Sequence, residues 1–321
     1  MDIFERMQGF VDENLSLLAD VDQAWQPSDF LPDLSGPNWS ENLAEFRAGS
    51  ETLPDELLVV LVGNMVTEEA LPSYAIRLDQ VAQDSTGSDD HPWARWLRGW
   101  TAEENRHGDL LNAYLRLTGR VDMKSIEQTI HRLIRDGFNP RTHGDKPAGL
   151  IYAAFQERAT RITHFNVGRL ATQHGDKNLA RICRRIAGDE SRHENFYTRT
   201  VSKMIELEPD TIVLSIRSVL KGLIAMPGSR MNDGKNPDLF DHFATVSQKV
   251  GTYSVKDYAS ILKHLVETWK IGDLSVSGKA AKAQDYICKQ PERYEYLAEM
   301  IEPEVAGQSM APFQWIYGRS A

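Results

Sequence analysis

Apolar residues recur every three or four positions along most of the chain, which is the spacing of one face of an α-helix. This pattern predicts long helices at about 54–82, 91–118, 122–136, 147–173 and 176–207. It also predicts shorter helices at about 209–225, 238–250, 254–271, 276–289 and 291–302. Short breakers such as Gly119 and the run DGFNP at 136–140 separate these segments. The sequence therefore predicts an all-α bundle.

The ends of the chain are less regular. Apolar residues between Ile3 and Leu18 keep helical spacing, whereas 26–39 is rich in Pro, Asp, Ser and Gly and is predicted to form an ordered surface loop. The tail from Met310 is compatible with a short hairpin. No stretch has the composition of a linker between domains, so we expect one domain over residues 1–321.

Four of the long helices carry an acidic residue near the middle, and two of them also carry a histidine. The single acids are Glu68, in VTEEALP, and Glu157, in FQERAT. The other two helices each contain a Glu-x-x-His pair. Glu104 and His107 lie in AEENRHG, and Glu190 and His193 lie in GDESRHE. Since residues i and i+3 share one face of a helix, both members of a pair can reach the same metal ion.

The two halves of this pattern are similar. Glu68 precedes Glu104 by 36 residues and Glu157 precedes Glu190 by 33, as expected for a duplicated helical hairpin. The chain contains two Glu-x-x-His matches, whereas its Glu and His content predicts fewer than one by chance. A Glu from each of two helices, with Glu-x-x-His from the other two, is the ligand pattern of ferritin-like dimetal bundles. The sequence predicts such a four-helix core with additional helices around it.

The chemistry of these side chains favours particular metals. Four carboxylates in one core would be very unfavourable as bare anions, whereas two divalent cations neutralise them. Oxygen ligands with one imidazole per metal suit iron or manganese better than zinc. Asp189 is placed to accept a hydrogen bond from the far nitrogen of His107, and Thr160 lies one turn beyond Glu157 on the same face. The Arg in each Glu-x-Arg-His string is expected to form a structural ion pair.

Charge and composition exclude other classes of protein. The chain has 46 acidic and 36 basic side chains, of which residues 1–100 hold 19 and 5. This balance lacks the dominant positive field of a nucleic-acid-binding protein. Cys183 and Cys288 are too few for an iron–sulfur cluster, and the longest apolar run is far short of a membrane span. The first residues are unlike a secretory or transit peptide, so we expect a soluble, cytoplasmic protein.

Longer strings make the chain similar to one family. They include LVGNMVTEEALPSY, WTAEENRHGDLLNAYLRLTGRVDM and GDESRHE, with further matches from WQPSDFLPD at Trp25 to PFQWIYGR near the end. Over nearly its whole length, the sequence resembles the soluble, plant-type acyl-ACP desaturases. The resemblance implies O₂-dependent desaturation of a saturated fatty acyl chain on acyl carrier protein, with electrons from ferredoxin. It also implies a homodimer, in a bacterial cytoplasm or, for a mature plant form, in the plastid stroma.

The resemblance also implies roles for individual residues. It implies two iron ions, as Fe²⁺ or Fe³⁺, with six ligands: Glu68, Glu104, His107, Glu157, Glu190 and His193. Thr160 would supply the hydroxyl beside the oxygen-binding face. Trp25 and Asp189 would form an electron route to His107. The lack of a GxGxxG nucleotide loop and of cluster cysteines agrees with an external electron donor.

Some features bear on the carrier and on the acyl chain. An acidic carrier needs a local basic patch, and the candidates after position 101 include Arg181, Arg184, Arg185, Lys221, Lys249 and Lys256. Asn64 stands where the family usually has Asp, and Arg77 stands where it tends to have an apolar residue near the acyl pocket. These two departures leave acyl length and double-bond position open.

Other interpretations of the motif remain open at this point. An acyl-CoA desaturase, or another di-iron hydroxylase or oxidase, would use the same ligand pattern. An iron-binding bundle would need no organic substrate. A ribonucleotide reductase small subunit would need a radical tyrosine beside the metals, and Tyr74 and Tyr197 each lie within two turns of a predicted ligand.

Overall fold

The computed structural model describes residues 2–82, 84–142, 144–222 and 224–321, apart from four side chains in one helix (Tyr74, Ile76, Arg77 and Asp79). The first half contains α1 (Ile3–Arg6), α2 (Gln8–Asn14), α3 (Trp39–Ser50), α4 (Asp55–Glu69), α5 (Leu71–Ala82), α6 (Pro92–Thr118) and α7 (Met123–Asp136). The second half contains α8 (Lys146–Gln173), α9 (Lys177–Leu207), α10 (Pro209–Lys221), α11 (Leu239–Val250), α12 (Val255–Thr268), α13 (Gly278–Cys288) and α14 (Gln290–Gly307). The predicted all-α class is confirmed.

Four helices form the centre of the bundle. Helix α8 packs against α9, α4 packs against α6, and α6 also contacts α9. Helix α4 is buried from Leu57 to Glu68, as expected from its nearly uninterrupted apolar sequence. Helices α8 and α9 each begin at an aspartate whose side chain accepts a backbone N–H in the first turn: Asp145 from Ala148, and Asp176 from Leu179. These four helices are the ones that carry the predicted metal ligands.

The prediction of one continuous helix at 54–82 is wrong. The chain leaves helical geometry at Ala70, with φ −76° and ψ 2°, and α5 begins at the next residue. Pro72 explains the break, because it has no N–H to donate and its ring would clash with the carbonyl of Glu68 in a continuous helix. The break ends α4 just after Glu68.

Two further differences concern the ends and one loop. The helical spacing between Ile3 and Leu18 forms α1, α2 and a 3₁₀ turn at Leu15–Leu17 in place of one helix. Helix α3 was not predicted, because its sequence is largely polar and shows little amphipathic contrast. The expected hairpin near the end is present as β1 (Pro312–Phe313) paired antiparallel with β2 (Arg319–Ser320).

No helix in the described ranges is both long enough and apolar enough to cross a lipid bilayer. The single-domain organisation over residues 1–321 stays a prediction.

Candidate metal centre

The six predicted ligands meet at the centre of the four-helix core. Each of them is at most 4% exposed. They are Glu68 on α4, Glu104 and His107 on α6, Glu157 on α8, and Glu190 and His193 on α9. The structure thus brings together all the side chains that helical spacing had grouped.

The six side chains form two overlapping groups, and within each group the ligand atoms lie within 4.8 Å of one another. One group is Glu68, Glu104, His107 and Glu190, and the other is Glu104, Glu157, Glu190 and His193. Glu104 spans the two groups, with Oε1 2.8 Å from His193 Nδ1 and Oε2 3.8 Å from His107 Nδ1. Two groups that share two carboxylates would suit a pair of metal ions, one held by each group.

Among the described residues, four buried ligand atoms form no hydrogen bond of good geometry, although they face one another in two close pairs: Glu104 Oε1 is 2.8 Å from His193 Nδ1, and Glu190 Oε1 is 3.2 Å from His107 Nδ1. They are the Nδ1 atoms of His107 and His193 and the Oε1 atoms of Glu104 and Glu190. Such atoms are rare in folded proteins, since each unsatisfied buried group costs about 1–3 kcal/mol. All four belong to the two ligand groups, so a cation is the partner that satisfies nitrogen and carboxylate lone pairs together. The donor set therefore fits two divalent metal ions.

The electrostatics of the protein atoms agree with this fit. Burial, and then the charge of Glu190, raise the pKa of the Glu104 carboxyl. Burial, and then the charge of Glu104, raise the pKa of Glu157 well above its usual range. Burial acts to lower the pKa of His107, but Glu104, Asp189 and Glu190 outweigh it, so this pKa is raised. Metal ions and protons therefore compete for the same atoms.

The far nitrogen of each histidine is held by a carboxylate from the opposite helix. His107 Nε2 on α6 lies 3.4 Å from Asp189 Oδ2 on α9, which is the contact predicted for Asp189. His193 Nε2 on α9 lies 2.8 Å from Glu103 Oε2 on α6. Such contacts fix the ring orientation and the tautomer of a metal-binding histidine. Glu103 was not predicted from the sequence, although it precedes Glu104 just as Asp189 precedes Glu190.

One arginine joins the two outer carboxylates. Arg192 lies 2.8 Å from Glu103 Oε2 and 2.7 Å from Asp189 Oδ1. Burial acts to raise the pKa of Glu103, but hydrogen bonds from His193 and Arg192 outweigh it and lower that pKa to about 2. The pKa of Asp189 is lowered in the same way, against burial, by His107 and Arg192. The expected ion pair of Arg192 is confirmed, and its partners are the residues that orient both histidines.

The remaining predicted residues also lie at the centre. Trp25 Nε1 donates to Asp189 Oδ2 at 2.8 Å, and the Trp25 ring is nearly parallel to His107, with 6.1 Å between ring centroids. Arg106 lies over the Trp25 ring and 3.6 Å from Asp189 Oδ2, so its expected ion pair is confirmed too. Thr160 Oγ1 on α8 is 2.6 Å from Glu190 Oε2 on α9.

Two contacts to the single-acid ligands were not predicted. Trp100 Nε1 donates to Glu157 Oε1 at 2.9 Å, and His164 Nε2 is 2.9 Å from Glu68 Oε1. Neither residue belongs to a Glu-x-x-His pair, and both contacts run between different helices. The only signal in the sequence was that His164 follows Glu157 by seven residues, which places both on one face of α8.

A largely apolar cavity of about 360 Å³ adjoins this centre and reaches Glu68 and Thr160. Its aromatic lining comes mainly from Phe155, Phe240, Phe243, Tyr253 and Tyr258. Asn64 also lines the cavity, and its buried Nδ2 has no hydrogen-bond partner. The side chains of Arg77 and Tyr74, both candidates from the sequence, lie outside the described residues.

All six basic residues considered for the carrier are exposed. Two of them, Lys249 and Lys256, are the neighbours in sequence of Gln248 and Val255, which line the cavity. Arg181 instead lies over the ring of Phe30 and donates to the backbone oxygen of Asp29, on the side of the bundle formed by α9.

We expect Glu103→Gln to weaken metal binding by about 10- to 100-fold, because outer carboxylates orient the ligating imidazole and raise its basicity. The affinity is measured by titrating metal-free protein with Mn²⁺ or Fe²⁺ against a competing chelator. Glu127→Gln is the matched control, since Glu127 forms a half-exposed ion pair with Arg116 on the surface. Equal affinities of the two variants would contradict the role given to Glu103.

Known proteins are similar to this chain along its whole length. A family model described as "Fatty acid desaturase" matches residues 1–317. The chloroplastic stearoyl-[acyl-carrier-protein] 9-desaturase of Olea europaea is 49% identical over 322 residues, which cover 99% of this chain and 83% of that protein. The enzyme of the same name from Ricinus communis is 46% identical over 323 residues, covering 99% and 82%.

A solved structure shows the same fold. DesA2 from Mycobacterium tuberculosis H37Rv, provisionally described as an acyl-ACP desaturase, aligns with a TM-score of 0.54 at 21% identity, over 84% of this chain and 95% of that one. The predicted ferritin-like architecture is thereby confirmed. The family model and the plant relatives carry the assignment by sequence: this chain belongs to the fatty acid desaturase family.

Proposed function

We propose that this protein is an acyl-ACP desaturase, which introduces a double bond into a saturated fatty acyl chain carried on acyl carrier protein. The observation that carries the proposal is that a buried centre fit for two metals adjoins a largely apolar cavity at Glu68 and Thr160. The relatives named as stearoyl-[acyl-carrier-protein] 9-desaturases support the same reaction.

The metals in this proposal are two iron ions. One would be held by Glu68 and His107 and the other by Glu157 and His193, with Glu104 and Glu190 shared. An alkyl C–H bond has no useful acidity, so a side-chain base cannot remove its hydrogen. Bound iron would supply the oxidising chemistry. In the net reaction, O₂ accepts two hydrogens from adjacent methylenes and two electrons from an external donor.

The residues of the chain position and enclose the reactants. The apolar walls hold the acyl chain extended and keep bulk water from the reacting methylenes. Phe155 and Thr160 on α8 bring that wall to the edge of the metal centre. Thr160 also holds a hydroxyl 2.6 Å from Glu190 Oε2, beside the face where the cavity meets the ligands.

The reaction balances only with a reductant. A saturated chain, O₂, two electrons and two protons give an unsaturated chain and two waters. We assign ferredoxin as the donor and the Trp25–Asp189–His107 contacts as the electron route, supported by the 2.8 Å and 3.4 Å distances along it. Arg106 lies over the Trp25 ring, and this cation–π contact holds the ring in place at the end of the route far from the metal centre.

The partners in this proposal are the acidic carrier and a second copy of the chain. Lys249 and Lys256 are the basic candidates closest in sequence to the cavity lining, so we assign the carrier to that side. The homodimer follows the family resemblance. The alternatives are an acyl-CoA desaturase, a di-iron acyl hydroxylase and an iron-binding bundle without an organic substrate.

A product assay tests the proposal directly. Iron-loaded protein is incubated with reduced ferredoxin, O₂ and acyl-ACP or acyl-CoA of several lengths, and any new double bond is located by mass spectrometry. We expect a single cis or trans olefin from acyl-ACP and none from Glu157→Ala. Hydroxylated product alone would favour the acyl hydroxylase. Product from acyl-CoA alone would favour the acyl-CoA desaturase, and iron oxidation without product would favour the iron-binding bundle.

Gly63→Ala is expected to change the acyl-length preference without changing iron content. A Cβ added at Gly63 would lie 2.0 Å from Cε2 of Phe243, so the ring has to move, and Phe243 lines the cavity. Overpacking of this kind costs about 1–3 kcal/mol of folding stability. A separate change of about 1.4 kcal/mol in transition-state binding of one acyl length would change its kcat/KM about tenfold.

The matched control for this variant is Gly9→Ala, where an added Cβ meets nothing within 4 Å. The measurement is kcat/KM for a series of acyl-ACP lengths together with iron per chain. An unchanged length profile for Gly63→Ala would show that Phe243 does not limit the space for substrate.

A further inference from the structure

A carboxamide lies beside the largely apolar cavity with an unused hydrogen-bond donor. Asn64 on α4 lines this cavity and is 8% exposed, and its buried Nδ2 has no hydrogen-bond partner among the described residues. Of the described side chains that line the cavity, only His164 also has such an atom, and its ring already contacts Glu68. Buried polar groups without a partner are rare in folded proteins. We therefore expect the Asn64 amide to pair with a group that enters the cavity.

Neighbouring hydroxyl groups of the cavity wall are already bound within the protein. Thr67 Oγ1 lies three residues further along α4 and donates to the backbone oxygen of Gly63 at 2.9 Å. Ser254 Oγ donates to Asp257 Oδ2 at 2.7 Å. These two O–H groups are used locally, whereas the NH₂ group of Asn64 is available to a ligand.

The position of Asn64 indicates which part of a substrate it meets. Asn64 precedes Glu68 by four residues, which is about 6 Å along α4. A Cβ on the adjacent Gly63 would meet the ring of Phe243, so this part of α4 faces α11. Helix α11 lines the cavity as far as Gln248, on the side assigned to the carrier. The end of the acyl chain that is attached to the carrier has to pass this wall.

We infer that Asn64 donates a hydrogen bond to the thioester carbonyl of the acyl chain and thereby determines which methylenes reach the metal centre. This inference rests on the proposed function and adds one contact to its substrate. A saturated acyl chain has no other polar group, and its carbonyl oxygen needs a donor. The terminal torsion of an asparagine is broad, so the NH₂ group can turn toward the cavity.

Other pairings suit this position less well. A buried water molecule needs about two to four polar partners, and the hydroxyl hydrogens of Thr67 and Ser254 are used elsewhere. An ionised Asp, the residue type usual in the family at this position, could not make the proposed contact, because a carboxylate only accepts hydrogen bonds. The contact would therefore give this chain an acyl register of its own.

A ligand without the carbonyl separates this hydrogen bond from packing. Acyl-ACP is compared with a thioether analogue, S-alkyl-ACP, in which CH₂ replaces the carbonyl. Dissociation constants of both are measured by calorimetry on iron-loaded protein under anaerobic conditions, at the acyl length that the unmodified protein binds most tightly.

Two variants and a control complete this experiment. Asn64→Leu fills the same space without a donor, whereas Asn64→Ala removes the donor and leaves the space open. Thr67→Val is the matched control on the same helix, since its hydroxyl donates to its own backbone. Circular dichroism and iron per chain establish that each variant keeps the fold and the metal centre.

The quantity compared is the ratio of the two dissociation constants, thioether over thioester. We expect this ratio to fall by about three- to tenfold in both Asn64 variants, as for the loss of one hydrogen bond, and to stay unchanged in Thr67→Val. An unchanged ratio in either Asn64 variant would overturn the inference and would favour a bound water, and an equal fall in Thr67→Val would also overturn it. Failure of the unmodified protein to bind any acyl-ACP would instead overturn the proposed function, and the inference with it.

Discussion

Glu104→Gln is expected to abolish desaturation and to weaken binding of both metal ions while the bundle stays folded. Glu104 is the carboxylate whose two oxygens lie toward both histidines, at 2.8 Å and 3.8 Å. Because Glu104 is itself placed to bind both ions, its loss should weaken their binding by more than the about 10- to 100-fold that follows loss of an outer partner of a metal ligand. An amide has one neutral oxygen and an NH₂ group, which repels a cation, so it cannot bridge.

The fold should tolerate this change for a reason that is also electrostatic. Burial and Glu190 raise the pKa of Glu104 to about 7, so a large share of the metal-free protein holds the neutral carboxyl at neutral pH. A neutral amide of the same shape replaces that form with little loss of stability. Metal per chain, olefin yield and the thermal midpoint of metal-free protein are measured for Glu104→Gln and for Glu127→Gln. Two bound ions in Glu104→Gln would remove Glu104 from the shared position.

Helical periodicity was sufficient to group the predicted ligands that share a helix, because its information concerns one helix at a time. Residues i and i+3 share a face in any α-helix, so Glu104 with His107, and Glu190 with His193, were accessible from spacing alone. The duplicated spacing then indicated that the four helices meet at their midpoints. The packing of α4 on α6 and of α8 on α9 agrees with that interpretation.

Most contacts between helices were not predicted from the sequence, and the contact of Asp189 with His107 is the exception. Trp100 and His164 each reach a carboxylate on another helix, and their register depends on crossing geometry that the sequence pattern does not contain. Glu103 was accessible by analogy with Asp189, because the two Glu-x-Arg-His strings are each preceded by an acid. The break at Ala70 was missed for a different reason: Pro72 interrupts the backbone while the apolar pattern continues across it.

Removal of metal is expected to lower the thermal stability of the protein by several degrees. A ligand that binds only the folded chain stabilises it by about 2.7 kcal/mol at a free concentration one hundred times its Kd. Two such ions would together contribute about 5 kcal/mol. With about 2.1 cal/mol/K of unfolding entropy per residue, a chain of 321 residues would then lose about 7 °C on metal removal.

The direction of this effect follows from the buried charges. Glu104 and Glu157 have raised pKa values without metal, so the metal-free centre can hold protons and the chain can still fold. Metal ions would replace those protons and would also bind the four atoms of the two histidines and of Glu104 and Glu190 that form no hydrogen bond of good geometry. Iron-loaded protein is therefore heated with and without a strong chelator under anaerobic conditions, followed by calorimetry. The thermal midpoint should recover when Fe²⁺ or Mn²⁺ is added in excess, and Glu127→Gln should behave like the unmodified protein.

The contradicting outcome is a thermal midpoint that is equal with and without chelator, for protein that held two ions per chain before treatment. It would mean that the ions do not stabilise the folded state over the unfolded one. In that case the four atoms would have partners other than metal.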